Sequence, residues 1–349
     1  TADEPETGKV QVRKKPADSG ATGSPYSLAG AEYTLYDKDG KNAGTLKTGE
    51  NGISNVLTVP CGNYTLKETF PSPGFDLDTK TYNVTVRADE INLLESSEPP
   101  KKGTVQVNKK SSDPKATESP YSLAGAVYTL YDKDGKSAGT LKTGEDGTSN
   151  VLTVLCGSYT LAETSPSPGF QVEAKVHNVT VKADKLTVVE SSETPEKGTV
   201  QVKKSTEDPG AVGDLYSLAG AEYTLYDKNG ESVGTLRTGK DGTSNVLTVL
   251  CGSYTLKETS APSGFELDTK THNVTVRPVL NSVVESSERP KKGKITVRKV
   301  SSEEKEKKET DTMPVAGAVY SLYTTEEDAR EGTGETGTFV IREDGSSDT

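Results

Sequence analysis

Hydrophobic and polar residues alternate in short runs along most of this chain, as in "KVQVRK", "YTLKET" and "YNVTV". Side chains on a β-strand point alternately to its two faces, so such runs predict half-buried strands. Breaks rich in glycine, proline and asparagine separate the runs about every ten residues. No stretch has a convincing helical period. The pattern therefore predicts an all-β chain built from antiparallel sandwiches.

The pattern repeats every 95 residues, a spacing that joins Gly8 to Gly103, Gly198 and Gly293. A unit of this length is an independent domain rather than one turn of a solenoid. The proline-rich and charged segments "ESSEPPKKG", "ESSETPEKG" and "ESSERPKKG" read as stiff, exposed linkers. We predict a linker tail at 1–7, full repeats at 8–97, 103–192 and 198–287, and an incomplete fourth repeat at 293–349 that folds poorly alone.

Three strands in each repeat place a charged residue on their apolar face. Lys14 shares a face with the two valines of "KVQVRK", and Glu68 shares one with the tyrosine and leucine of "YTLKE". By the same alternation, Glu95 falls on the face of the isoleucine and first leucine of "INLLE". These positions recur as Lys109, Lys204 and Lys299, as Glu163 and Glu258, and as Glu190 and Glu285.

Burying a lone charge is costly, so these groups are expected to meet inside the sandwich. One interpretation is a structural ion pair at the mouth of the core. The other is chemical, because burial lowers the pKa of a lysine and raises that of a glutamate. A neutral amine beside a protonated carboxyl is suited to amide formation, with Glu68 polarising the acceptor carbonyl and carrying protons.

The segments "GKVQVRKK", "YSLAGAEYTLYDKDGK" and "CGNYTLKETFPSPGF" resemble the B-type repeats of Gram-positive collagen adhesins and the related SpaA-like domains of sortase-assembled pilins. The resemblance covers the three full repeats and the opening of the fourth. It implies prealbumin-like (inverse immunoglobulin-like) β-sandwich domains, in which a first-strand lysine bonds to an Asn or Asp of the last strand and the "ET" glutamate is the catalyst. It gives the lysine role to Lys14, Lys109 and Lys204 and the catalytic role to Glu68, Glu163 and Glu258.

The acceptor departs from the pattern of that family. Glu95, Glu190 and Glu285 occupy the slot where the family has Asn or Asp, and a glutamate acceptor would release water rather than ammonia. Asn83, Asn178 and Asn273 of "NVTV" are weaker candidates, because they lie one strand earlier and alternate with the apolar face. Both a cross-link and an uncross-linked Lys–Glu cluster therefore stay open.

Composition narrows the class of protein. The net charge of −11 argues against nucleic acid and against an anionic membrane surface as partners. No apolar run is long enough for a transmembrane helix. The polar opening "TADEPETG" predicts no signal peptide, and its likeness to the later linkers indicates an excerpt of a longer protein.

Three cysteines cannot all pair within one chain, so no disulfide framework is predicted. Histidines occur only as His177 and His272, and Tyr82 stands at the matching place in the first repeat. A Cys–His dyad is therefore not a property of the repeat. Cys61, Cys156 and Cys251 are interpreted as small buried thiols at a turn, with an intermolecular disulfide or a reactive surface thiol as the alternatives.

The "DKDG" segment at Asp37 predicts a hairpin turn with positive φ at Asp39-Gly40. Calcium is the alternative, but the glutamate and the spacing of a calcium loop are missing. We expect no cofactor and no metal.

Tandem domains on short linkers predict a monomeric rod, and we expect the stalk of a bacterial cell-surface adhesin. It would be extracellular and anchored to the cell wall. Its host extracellular-matrix or cell-surface ligand and its sortase-made link to peptidoglycan would both lie outside this chain. The alternatives are a sortase-assembled pilus shaft subunit and repeats that themselves bind a host protein or glycan. Enzymatic turnover is not expected, since any chemistry would be one self-directed bond in each domain.

Overall fold

The computed structural model describes residues 4–211, 213, 215–300 and 315–347. Seven strands form each of the three full repeats. The first contains β1 (Thr7–Pro16), β2 (Glu32–Tyr36), β3 (Asn42–Lys47), β4 (Leu57–Pro60), β5 (Gly62–Phe70), β6 (Thr81–Val86) and β7 (Ile91–Glu98). The second contains β8 (Lys102–Ser111), β9 (Val127–Tyr131), β10 (Ser137–Lys142), β11 (Leu152–Leu155), β12 (Gly157–Ser165), β13 (His177–Val181) and β14 (Leu186–Glu193). The third contains β15 (Lys197–Thr206), β16 (Glu222–Tyr226), β17 (Ser232–Arg237), β18 (Leu247–Leu250), β19 (Gly252–Ser260), β20 (Thr271–Val276) and β21 (Asn281–Glu288).

Two sheets face each other in every repeat. In the first repeat, one sheet has the order β4-β1-β7 and the other the order β3-β2-β5-β6. The prediction of purely antiparallel sheets is wrong at one pair, because β1 and β7 run parallel, with Lys14 opposite Ser96. The chain leaves the first sheet after β4, forms β5 and β6 in the opposite sheet, and returns alongside β1 in the same direction. The first and last strands of a repeat are therefore direct neighbours.

The core lies between the two sheets and follows the predicted alternation. Val10, Val12 and Leu66 are buried, as are Tyr33 and Leu35 on β2. The second and third repeats bury the corresponding residues in clusters of their own. Removing these side chains from water is the main stabilising contribution to each domain.

The connections between repeats are shorter than the sequence suggested. β7 continues to Glu98, one residue past the predicted boundary at 97, and β8 begins at Lys102. Only residues 99–101 join the first two repeats, and Pro100 pairs with Phe75 across an isolated bridge. Most of "ESSEPPKKG" is therefore strand rather than linker, and adjacent repeats lie close to each other.

The "DKDG" segment forms a turn in which the Asp37 carboxylate accepts hydrogen bonds from the backbone N–H groups of Asp39 and Lys41, at 3.0 and 2.8 Å. Gly40 has a φ of 75°, whereas Asp39 is not in the left-handed region. The turn therefore needs one glycine rather than the predicted pair. The carboxylate that a calcium site would use is engaged in holding the turn.

The described part of the fourth repeat contains β22 (Val319–Tyr323), α1 (Glu326–Glu331) and β23 (Glu335–Val340). The helix was not predicted. The Thr325 side chain caps its N-terminus, acidic residues fill the first turn, and Gly332 ends it with a φ of 69°. Residues 301–314 and 348–349 of the predicted fourth repeat lie outside the described residues. None of the described helices has the length and apolar character needed to cross a bilayer.

Candidate functional site

The lysine of the first strand is buried in all three full repeats. Gly8, Val10, Val12 and Lys14 form the inward row of β1, and Lys14 is 1% exposed. Gly52 and Phe75 close over this end of the strand: the Lys14 N–H donates to Gly52 O, and the amine lies 5.0 Å from the centre of the Phe75 ring. Lys109 and Lys204 are buried in the same way.

The predicted catalytic glutamate reaches this lysine. Leu66 and Glu68 form the inward row of β5, and the Lys14 Nζ–Glu68 Oε1 distance is 3.2 Å. The matching distances are 3.4 Å from Lys109 to Glu163 and 2.7 Å from Lys204 to Glu258. These charged side chains are fully removed from solvent. The structure thus brings together the two groups that the "VQV-x-K" and "YTL-x-E" patterns placed inside.

The predicted acceptor slot is wrong. Glu95 points to solvent, with 55% of its side chain exposed, and pairs with Lys15 at 2.8 Å. Glu190 and Glu285 are exposed as well. The sequence assigned the two faces of β7 the wrong way round. Ile91 and Leu93, which marked the inner face in the sequence, lie on the outer face and are 58% and 43% exposed.

The residue that faces the lysine is Glu98, the last residue of β7. It is fully buried and forms an ion pair with Lys14. The same pair joins Lys109 to Glu193 and Lys204 to Glu288. Sequence reasoning missed these glutamates because they lie in segments interpreted as linkers. Their 95-residue spacing, identical to that of the lysines, is the signal that would have found them.

The asparagines of "NVTV" do not take part. Asn83 is exposed on β6, opposite Thr65 of β5, while Val84 and Val86 face the core. Asn178 and Asn273 are exposed in the same way. Their outward orientation agrees with the parity argument that ranked them below the glutamates.

Further polar groups hold the two acids. The Tyr33 hydroxyl donates to Glu98 Oε1, and the Ser96 hydroxyl donates to the same oxygen at 3.2 Å. The backbone N–H of Asp78 donates to Glu68 Oε2 at 2.6 Å. The Asp78 carboxylate in turn accepts from the Tyr82 hydroxyl at 2.5 Å. Each acid therefore has a fixed orientation toward the amine.

The outer partner of the cluster varies between repeats. His177 with Glu173 (3.0 Å) and His272 with Asp268 (3.3 Å) take the place of the tyrosine–aspartate pair of the first repeat. The histidines thus support the acidic cluster rather than a cysteine. The lysine, its two glutamates and the tyrosine of the second strand are the same in all three repeats.

Burial shifts the two partners toward their neutral forms. It lowers the pKa of the Lys14 amine, a shift that the Glu68 carboxylate opposes, and it acts on Lys109 in the same way. It raises the pKa of Glu68, against a hydrogen bond from Asp78 and the charge of Lys14, and it also raises that of Glu258. A less basic amine beside a more basic carboxyl is an arrangement in which proton transfer and nucleophilic attack become accessible.

A domain family described as "SpaA: Prealbumin-like fold domain" matches residues 8–98, 103–195 and 198–288. The chain belongs to this family. The first and third SpaA-type matches end at Glu98 and Glu288, so they include the buried acid of the last strand. The architecture predicted from the sequence, tandem prealbumin-like sandwiches, is thereby confirmed for the three full repeats.

Solved structures are similar to this chain at low sequence identity. The Bacillus anthracis TIE protein is 21% identical with a TM-score of 0.55, over 82% of this chain and 51% of that chain. BcpA, the major pilin subunit of Bacillus cereus, is 15% identical with a TM-score of 0.34, over 82% and 100%. The Streptococcal ancillary pilin is 18% identical with a TM-score of 0.28, over 82% and 100%. The first likeness shows the fold alone, and this SpaA-type chain spans about half of the TIE protein structure. No curated protein matches the chain.

Proposed function

We propose that these SpaA domains form a load-bearing stalk of a bacterial cell-surface adhesin. The observation that carries the proposal is the buried pair of Lys14 on the first strand and Glu98 on the last. This pair links the two strands through which the polypeptide enters and leaves the domain. The same pair recurs in the second and third repeats, as expected if every repeat has to bear the same tension.

Tension along the chain acts on each repeat through β1 and β7. Because these strands are parallel neighbours, a pull on Thr7 and on Glu98 drags them in opposite directions along their shared ladder. All of its hydrogen bonds are then loaded together in shear. A covalent tie at Lys14 and Glu98 would carry that load past the 83 residues between them.

The cluster has the groups that such a tie requires. In the proposed step, Glu68 removes a proton from the Lys14 ammonium, and the neutral amine attacks the carboxyl carbon of Glu98. A C–N bond forms and a C–O bond breaks. Glu68 carries two of the three ammonium protons, one after the other, to the departing oxygen of the Glu98 carboxylate, which leaves as water, and the third proton stays on the amide nitrogen. Tyr33 donates to the Glu98 oxygen on which negative charge develops.

The mass of the intact purified chain tests the cross-link. Bonds in all three full repeats lower the measured mass by three waters relative to the sequence, and a peptide map then contains branched peptides joining Lys14 to Glu98, Lys109 to Glu193 and Lys204 to Glu288. A mass equal to the calculated one contradicts the covalent proposal. The stalk would then depend on ion pairs and packing alone.

The stalk function and its location form the second part of the proposal. Three domains in line would span on the order of 100 Å. We place the stalk outside the cell, joined to the wall and to a ligand-binding region by segments beyond this chain. The short connection at residues 99–101 supports a spacer, since it leaves little slack between domains. A purified chain that binds matrix proteins by itself would favour the alternative in which the repeats are the receptor-binding part.

A further inference from the structure

The first two repeats meet through one tyrosine and one cysteine. The backbone N–H of Cys156, which immediately precedes β12 of the second repeat, donates to the Tyr26 hydroxyl of the first repeat at 2.7 Å. That hydroxyl donates to Lys101 O at 2.6 Å, and the Cys156 thiol lies 3.4 Å from the same carbonyl. Phe75 packs edge-on against Tyr26, with ring centres 5.6 Å apart. We call this group of residues joint 1.

The second and third repeats meet in the same way. Cys251 N–H donates to the Tyr121 hydroxyl at 2.6 Å, and that hydroxyl donates to Glu196 O at 2.6 Å. Phe170 lies 5.6 Å from the Tyr121 ring, and the cysteine is buried with both aromatics. We call this group joint 2. Two independent copies of one contact, atom for atom, identify a specific docking mode between repeats.

Among the described residues, each half of the joint also occurs without its counterpart. At one end, Cys61 of the first repeat is exposed, and its backbone N–H donates to Glu6 O at 2.8 Å. Glu6 thus stands where Lys101 stands in joint 1. At the other end, Tyr216 packs on Phe265 with ring centres 5.7 Å apart, and its hydroxyl donates to Lys291 O at 2.9 Å. None of the three cysteines is available to contact Tyr216, because Cys61 is exposed in the first repeat and Cys156 and Cys251 are buried in joints 1 and 2.

We infer that the surface around Cys61 is a docking site for the tyrosine–phenylalanine end of a further repeat of this kind. The Tyr216 end of the third repeat is the example of that partner present in this chain. On docking, the tyrosine hydroxyl would replace Glu6 O as the acceptor of the Cys61 N–H and would donate to a linker carbonyl, as the Tyr26 hydroxyl does between Cys156 N–H and Lys101 O. The inference does not depend on the cross-link, because Cys61 and Tyr216 lie outside the buried cluster.

A direct peptide connection to the partner is part of the inference. The contact is small, so it would be weak between separate molecules, but a short tether raises the effective concentration of the partner to the millimolar range. The connection at residues 289–291 has the length of the one at 99–101. Lys292, which follows it, pairs with Asp208 at 3.7 Å, as Lys102 pairs with Asp18 at 3.5 Å beside joint 1.

Thiol labelling of a duplicated chain tests the inference. A second copy of residues 8–292, carrying Cys61→Ser, is joined in front of Gly8 of the full chain, so that the added Tyr216 end precedes the original Cys61. The reagent is a chromogenic aromatic disulfide. The unmodified chain is expected to show one fast thiol, Cys61. In the duplicated chain, Cys61 is expected to react at least about tenfold more slowly, as for a joint that is closed most of the time.

Two matched variants of the added copy separate docking from simple crowding. Tyr216→Ala is expected to restore fast labelling of Cys61, and Tyr216→Phe, which keeps the ring but loses the hydroxyl, is expected to give an intermediate rate. Circular dichroism and the thermal transition report whether the added repeats are folded in each variant. Fast labelling in the folded duplicate overturns the inference, and so does equal protection in the Tyr216→Ala variant.

Discussion

Lys14, two residues from the end of the first strand, is paired inside the sandwich with Glu98, the final residue of the seventh. Three residues earlier on the same strand, Glu95 points outward and pairs with Lys15 on the surface. The two acids differ in environment but not in chemistry. They therefore provide a matched pair of positions for testing what burial beside the lysine does.

Replacing Glu98 by alanine is expected to prevent the proposed bond in the first repeat only. The intact mass, after correction for the substitution, then shows two missing waters instead of three. Without its nearer partner, Lys14 stays buried beside Glu68 alone, and we expect the repeat to lose roughly 3–5 kcal/mol of stability. Mass spectrometry and urea unfolding measure the two effects.

Glu95→Ala is the control for that experiment. It removes an exposed ion pair, which contributes little to stability, and leaves the buried cluster intact. All three waters stay missing if Glu98 is the acceptor. Recovery of one water in Glu95→Ala, and none in Glu98→Ala, would return the acceptor role to the exposed residue.

Glu68→Gln is expected to stop or greatly slow bond formation in the first repeat, because a glutamine keeps the size of the side chain but carries no proton between amine and carboxyl. Peptide mapping should lose the branched peptide that contains Lys14 and keep those that contain Lys109 and Lys204. The two unmodified repeats are internal controls in the same sample. A full yield of the Lys14 branch in the variant would show that another group is the proton carrier.

Stability should depend on pH in a chain that cannot cross-link, such as the triple variant that combines Glu98→Ala, Glu193→Ala and Glu288→Ala. The folded pKa of Glu68 is raised above 4.5, so its contribution is fully present below pH 4.5 and is lost as the pH rises through the folded pKa. The folded pKa of Lys14 is lowered below 10.5, so stability increases again as the pH rises from that pKa toward 10.5. Urea unfolding is therefore expected to show a minimum between the two windows.

Adding Glu68→Gln and Glu258→Gln to that variant should flatten the acidic side of the minimum, because both glutamates have raised pKa values from burial. If the stability of this variant still falls over the same acidic window, other carboxyl groups determine its pH dependence. On the alkaline side of the minimum, stability should still increase as the pH rises.

Tyr26→Ala is expected to expose the thiol of Cys156 by removing the hydroxyl and ring that cover it in joint 1. Labelling of Cys156 should accelerate by an order of magnitude or more, while Cys251 in joint 2 stays slow. Burial raises the pKa of the Cys251 thiol, which further limits its reactive thiolate. Tyr216→Ala in the unmodified chain is the matched control and should change no cysteine.

Single-molecule pulling separates the covalent from the non-covalent stalk. With all three bonds present, residues 15–97 and their counterparts are bypassed, and no extension step from the full repeats is expected. The triple alanine variant should unfold in three steps, each releasing roughly 300 Å of chain. Three such steps in the unmodified chain would contradict the cross-link.

Much of the fold was readable from the sequence, since the strands β1, β5 and β6 alternate strictly and their inner rows are apolar. The same rule placed Lys14 and Glu68 inside. It failed on β7, where Ile91 and Leu93 are apolar but exposed and Ser96 is polar but buried. When the two faces of a strand are similar in polarity, the sequence does not show which face points toward the core.

Other parts of the site depend on contacts that no local pattern encodes. Asp78 approaches Glu68 from a loop, and Tyr33 reaches Glu98 from the opposite sheet. The prediction for the cysteines was correct for Cys156 and Cys251, which are buried, and wrong for Cys61, which is exposed. The difference lies in the neighbouring repeat, because the sequence around each cysteine is nearly the same.

Phe75 contacts both the amine of Lys14 and the ring of Tyr26. It therefore lines both the interior of one repeat and the junction of that repeat with the next. Loosening a junction removes support from the interior behind it, and disturbing that interior moves the surface on which the next repeat rests. Melting of this array should accordingly be cooperative between neighbours, in the manner of a one-dimensional lattice with nearest-neighbour coupling.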